Sequence, residues 1–210
     1  MHTALQVVAI IAIGYLIGSI PTANIFARLF ARKDLRRVGT GNVTSTALII
    51  HAGKLPGLLS LMGEALKTAA CLAVAGLVAG ELWAYLLMMV AATVGQRWSV
   101  WLGWTGGQGQ TIFAVGFMIL CPVSMALAGV VYGLTLLVTR RAFLSNTIFH
   151  LAAPVCLLVA WFYNPALFGL GYESWGYALT CAVLCGIFLL KHQADTDDIV
   201  RAEAWGGLSR

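Results

Sequence analysis

The chain has 210 residues, of which 60% are hydrophobic and only 10% charged. A soluble domain carries roughly 25% charged residues, so the composition excludes an ordinary water-soluble fold. It calls for one all-α integral membrane domain over residues 1–210, with no room for a second soluble one. The net charge of +5 does not make a nucleic-acid binder, because the cations sit between apolar runs rather than on one basic face.

In chain order, Thr3 to Ala27 reads as the first span. No Lys or Arg precedes its apolar run, which is too long for a signal peptide, so a retained helix is expected. Gly14 and Gly18 are spaced for close helix contact, and Pro21 predicts a kink. Arg28 to Lys54 is the longest polar break. Within it lies Gly39-Thr40-Gly41-Asn42-Val43-Thr44-Ser45-Thr46, among Arg28, Arg32, Lys33, Arg36, Arg37 and Lys54. Glycines let a backbone turn its N–H groups toward an anion, and cations hold the anion there. The segment reads either as half of a phosphate-handling site at a membrane surface or as a topogenic loop with ordinary helix caps.

Leu55 to Ala79 is the second span, with Glu64 and Lys67 three residues apart and able to pair. Ionisable residues at membrane depth face a cavity or each other, so this pair either braces the bundle or contributes to a cytoplasmic cavity. A short third span, Leu82 to Val94, leads to a loop through Gln96-Arg97 and Gly106-Gly107-Gln108-Gly109. Trp98, Trp101 and Trp104 between them read as interfacial anchors. The glycines suit a phosphate cradle or a plain re-entrant turn. A cradle would normally carry Lys at the third position, and Gln108 supplies only neutral donors.

Thr111 to Val138 is longer than the roughly 20 apolar residues one crossing needs, and Cys121-Pro122 divides it. Arg140-Arg141, a span from about Leu144 to Phe162, a turn from Asn164-Pro165 to Glu173, a last span Ser174 to Leu190 and a polar tail follow. If the long run dips in and returns at Pro122, every loop Lys and Arg falls on the cytoplasmic side, and the outer loops keep only Glu81 and Glu173. That threading gives about seven segments, with the N-terminus outside, the C-terminus inside and the fourth and fifth segments short. It also brings the first loop, the Gly-Gly-Gln-Gly loop and the tail to one face.

In the tail, His192 reads as a general base, an orienting donor or a solvated interfacial residue. Asp195, Asp197 and Asp198 suit solvated or helix-starting roles better than a metal cluster; His51 and His150 are weaker candidates. Cys71, Cys121, Cys156, Cys181 and Cys185 lie inside apolar runs without a Cys-x-x-Cys or neighbouring His pair. They read as small core hydrophobes, and neither metal nor cofactor is expected.

Taken together, these stretches resemble the PlsY family of bacterial membrane acyltransferases through nearly the whole chain. Gly18-Ser19-Ile20-Pro21, Asp34-Leu35-Arg36 before Gly39-Thr40-Gly41-Asn42, Glu64-x-x-Lys67, Gly95 with Gly106-Gly107-Gln108-Gly109, Thr139-Arg140 and His192 follow the family's order. The resemblance implies a seven-helix protein in the bacterial inner membrane with a cytoplasmic site. It implies transfer of an acyl chain from acyl-phosphate to glycerol 3-phosphate, forming lysophosphatidate for phospholipid biosynthesis. Thr40 with the Gly41 and Asn42 backbone would position phosphate or acyl carbonyl, and His192 would orient the acceptor with Asp195 near it. Arg36, Lys67 and Arg140 would supply charge, and Gly39 and Gly106 to Gly109 would shape the phosphate sites.

Departures from the family fall on its working parts. Thr40 replaces serine, Ile50 arginine, Gln96 histidine, Gln108 lysine, Asp195 asparagine and Phe143 serine. Each lost charge-assisted contact costs about 1.5–3 kcal/mol, so losing two weakens binding of a dianion roughly a hundredfold or more. The alternatives implied are a catalytically impaired or non-catalytic membrane paralogue, or an acyltransferase with a less anionic acceptor.

Overall fold

The computed structural model describes residues 2–39, 41–140, 142–163 and 174–190. Helices α1 (His2–Ser19), α2 (Thr22–Ala31), α3 (Ser45–Ala52), α4 (Lys54–Val78), α5 (Leu82–Arg97), α6 (Gln110–Leu120), α7 (Pro122–Thr139), α8 (Ala142–Tyr163) and α9 (Ser174–Leu190) follow one another. Short 3-10 turns occupy Leu35–Arg37 and Val100–Leu102. Among the described residues there is no strand, as a backbone in lipid requires of a fold that satisfies its own polar groups within helices. Thr3–Ala31, Lys54–Val78, Pro122–Thr139 and Leu144–Tyr163 are long and apolar enough to cross a membrane, and Gln110–Leu120 and Trp175–Phe188 are shorter apolar helices.

Three local outcomes differ from the sequence expectation. Pro21 does more than kink the first span: α1 ends at Ser19 and Pro21 caps a separate α2, since proline cannot donate to the preceding turn. The basic segment contains a helix, α3, whose start is capped by Thr44 Oγ1 accepting from the Ala47 N–H at 3.1 Å. The long apolar run does divide at Pro122, but its second half, α7, has 18 residues and is long enough to cross.

The described chain falls into two compact units, Met1–Gly116 and Phe117–Arg210. In the first, small residues let α1 and α5 approach backbone to backbone. A Cβ on Gly18 would collide with the Ala92 backbone, one on Gly95 with the Tyr15 carbonyl, and one on Gly14 would lie 2.7 Å from Met88 Sδ. Ile10, Cys71, Ala75, Ala84, Met88, Ala92 and Ile112 form one core cluster. Ala23, Ala27, Leu35, Val43, Leu48 and Leu102 form another beneath the basic segment. Buried polar links tie these parts: the Leu35 N–H donates to Asn24 Oδ1 at 2.8 Å, and Ser99 Oγ donates to the Ser19 carbonyl at 2.6 Å.

In the second unit α8 packs on both α7 and α9. His150 packs its ring, tilted, against Phe188 with ring centroids 4.6 Å apart and donates through Nδ1 to the Asn146 carbonyl at 2.7 Å. All five cysteines are free thiols; Cys71, Cys121, Cys181 and Cys185 are buried and Cys156 is half-buried, in keeping with small apolar fillers.

Candidate active site

The basic segment is shaped first by Asp34. Its carboxylate accepts from Arg36 Nη2 at 2.6 Å and from Arg28 Nη2 at 3.0 Å, and Oδ1 also caps the 3-10 turn by accepting from the Arg36 N–H. The Arg36 guanidinium, with Arg28 second, holds the Asp34 carboxyl well below the usual carboxylate range, and Asp34 in turn raises Arg36. Arg36 reaches on through Nη1 to the Leu102 carbonyl at 3.2 Å. One side chain thus fastens the first polar loop to the second.

Beyond this clamp the backbone becomes left-handed at Gly39 (φ 57°) and Gly41 (φ 74°), a conformation that disfavours side chains with a Cβ. Gly39 is constrained twice, because a Cβ there would sit 2.6 Å from His51 Nε2. Asn42 is buried, and α3 follows.

The Gly-Gly-Gln-Gly loop lies directly against this stretch. A Cβ on Gly107 would come 2.5 Å from the Val43 carbonyl, and one on Gly106 would collide with the Gln96 carbonyl. Gly109 is left-handed (φ 79°) and delivers the chain into α6. The two glycine-rich stretches expected to share a face are therefore in contact. Side-chain-free backbone at the glycines, with Arg36 beside it, is the kind of material from which anion sites are built.

Lys67 lies one side chain behind this contact, since the Gln96 amide that it bonds also stands 3.2 Å from where a Cβ on Gly107 would be. It is 8% exposed, and its ammonium donates to the Gly18 carbonyl at 3.2 Å, the Ile20 carbonyl at 3.0 Å and Gln96 Oε1 at 2.5 Å. Glu64 Oε2 stands 2.9 Å from the same nitrogen, and Gln96 Nε2 donates to Glu64 Oε1 at 3.2 Å. The ammonium has three protons and four protein acceptors around it. Glu64, Lys67 and Gln96 form a closed, neutralised network joining the C-terminal end of α1 to α4 and α5.

Of the other expected site residues, Thr40, His192 and Asp195 lie outside the described residues. Arg140 caps the C-terminus of α7 in the second unit with a left-handed backbone (φ 53°), its N–H donating to the Leu136 carbonyl at 2.8 Å.

Residues 8–202 match the glycerol-3-phosphate acyltransferase family model. The chain belongs to that family. It is 34% identical over 162 residues to the glycerol-3-phosphate acyltransferase of Agrobacterium fabrum, covering 75% of this chain and 77% of that protein. It is 30% identical over 201 residues to the one of Desulforudis audaxviator, covering 96% of each. The crystal structure of PlsY (YgiH), an integral membrane glycerol 3-phosphate acyltransferase, in its glycerol 3-phosphate form shares the fold. Its TM-score is 0.75 at 24% identity, over 89% of this chain and 88% of that one. The lysophosphatidic acid form of the same protein gives a TM-score of 0.72 at 21% identity.

For a glycerol-3-phosphate acyltransferase family member, two residues stand out, Arg97, which sequence reasoning passed over, and His51, which it ranked only as a weaker candidate. Arg97 reads in the sequence as one topogenic charge among many, yet it is 1% exposed, and its Nη1 donates to the Gln108 carbonyl at 3.3 Å. His51 lies with its ring on Gly39, next to the glycine-rich turn. Only the position of Arg97 between an apolar helix and a glycine-rich loop hinted at its place. His51 was a weaker candidate in the sequence, and nothing there pointed to its packing on Gly39.

Proposed function

We propose that the protein is an enzyme that transfers a fatty acyl group from acyl-phosphate to glycerol 3-phosphate at the cytoplasmic face of the bacterial inner membrane, with residues 1–210 acting as one catalytic domain. The acceptor hydroxyl attacks the acyl carbonyl. A carbon–oxygen bond forms, the bond to the phosphate oxygen breaks, and lysophosphatidate and inorganic phosphate leave. Acyl-phosphate is already activated, so the protein has mainly to align the alcohol with the carbonyl and stabilise the oxyanion and the departing phosphate. No cofactor enters this scheme.

The observation that carries the reading is the contact of Val43 with Gly107, with Arg36 reaching from the first loop to the Leu102 carbonyl in the second, in a chain of the acyltransferase family. In the proposal Thr40, Gly39, Gly41 and Asn42 hold the phosphate or the acyl carbonyl, and Gly106, Gly107, Gln108 and Gly109 form the facing cradle. Arg36 and Arg140 supply charge, and His192, with Asp195 close in sequence, takes the proton of the attacking hydroxyl. Lys67 acts indirectly, by holding the end of α1 against α4 and α5. The test is acyl transfer by purified protein compared with His192→Ala. The substitution is expected to lower kcat by about 100-fold or more, the scale of general-base catalysis; unchanged turnover removes His192 from the mechanism.

A second reading, an acceptor less anionic than glycerol 3-phosphate, is favoured by the neutral Gln108 in the loop and by the engagement of Lys67 with protein acceptors. Under it, Ile50→Arg with Gln108→Lys raises glycerol 3-phosphate turnover. No change in KM for glycerol 3-phosphate in that double variant contradicts it.

A further inference from the structure

Arg97 is the largest fully buried side chain among the described residues. Its guanidinium uses Nη1 on the Gln108 carbonyl and lies 5.7 Å from the Trp98 ring centroid. Nε and Nη2 are buried with no hydrogen-bond partner among the described residues. None of the ion pairs among those residues involves Arg97, and Glu64 is committed to Lys67. A buried guanidinium with idle donors is costly unless something anionic completes it, and its fork matches two oxygens of a phosphate.

The loop that Arg97 touches is bare of side chains at Gly106 and Gly107, where the backbone packs against the Gln96, Arg97 and Val43 carbonyls. Gln108, at the position where a cradle would carry a cation, is neutral.

We propose that Arg97 supplies the positive charge of a phosphate site formed with the Gly106–Gly109 loop, in place of a cation at position 108. The inference deepens the acyl-transfer reading and rests on it for the substrate: a phosphate dianion, carried either by glycerol 3-phosphate or by acyl-phosphate. Arg97 is a binding and specificity-determining residue, contributed from the end of α5 rather than from the loop.

The experiment uses the full chain in detergent and titrates inorganic phosphate against chloride at matched ionic strength, following melting temperature and binding heat. Wild type should show a phosphate-specific rise in melting temperature. Arg97→Gln should bind phosphate at least about tenfold more weakly, the scale of one charge-assisted contact, and adding Gln108→Lys should recover most of it. Because removing a buried charge can unfold a helix end, Arg97→Lys provides a second variant. It keeps the charge but loses the fork, and it should weaken phosphate binding while remaining folded.

In acyl transfer, a raised KM for glycerol 3-phosphate alone assigns the site to the acceptor, and a raised KM for acyl-phosphate alone assigns it to the donor; either supports the proposal. Wild type that binds phosphate through Arg97 but transfers no acyl group leaves the site standing and removes the enzyme reading. Unchanged phosphate affinity and unchanged KM values in folded Arg97→Gln or Arg97→Lys overturn the site and leave the enzyme reading intact. A wild type with no phosphate-specific shift overturns it as well.

Discussion

Asp34 is the residue on which the shape of the basic segment turns, since one carboxylate gathers Arg28, Arg36 and the 3-10 turn. Its folded-state pKa lies below the ordinary value, with Arg36 the main cause. The stabilisation is therefore present above the unfolded value of about 3.9 and is lost as pH falls through the lower folded one. Limited proteolysis within residues 28–39 should be slow and constant from neutral pH down to about 4, then accelerate. Asp34→Asn should be cleaved rapidly even at neutral pH, and equal cleavage of variant and wild type at pH 7 would show that the clamp does not order the segment. This clamp was not drawn from the sequence. Asp34 and Arg36 stood there only as part of a motif, and the reach of Arg36 to the Leu102 carbonyl depends on a tertiary contact that no spacing reveals. Arg97 was illegible for a related reason: a cation after an apolar run normally orients a helix, and only packing shows that this one is buried.

Helices show a different balance. Apolar length and proline placed α1, α4, α5, α8 and α9 and the division at Pro122, because burial in lipid demands long uninterrupted apolar runs. Helix α3 escaped notice because it is only 8 residues long and lies inside a segment dominated by charge and glycine. The i,i+3 spacing of Glu64 and Lys67 did forecast their ion pair, whereas the bridging by Gln96 from α5 comes from the packing of α4 on α5. Removing one member of this network leaves the other charge buried, so Glu64→Ala should destabilise the protein by roughly 3–5 kcal/mol. Combining Glu64→Ala with Lys67→Met should return a large part of the loss. Thermal melts of both variants in detergent check this, and a double variant no more stable than the single one would mean that the network is not the source of the cost.

At the scale of the whole molecule, an apolar bundle of the glycerol-3-phosphate acyltransferase family brings two sequence-distant glycine-rich stretches together. The oily helices suit an acyl tail and the contact between the stretches suits an anionic head, so the division of labour in the substrate is mirrored in the composition of the chain. What the sequence could not supply was the meeting of Val43 with Gly107, because it joins residues more than sixty positions apart. The most direct measurement is product analysis with the purified full chain in lipid vesicles, supplied with acyl-phosphate and glycerol 3-phosphate. Lysophosphatidate and inorganic phosphate should appear in equal amounts, and neither should form at that rate when glycerol 3-phosphate is omitted. Phosphate release without lysophosphatidate, or no turnover from a folded protein that still binds inorganic phosphate, would contradict acyl transfer to glycerol 3-phosphate.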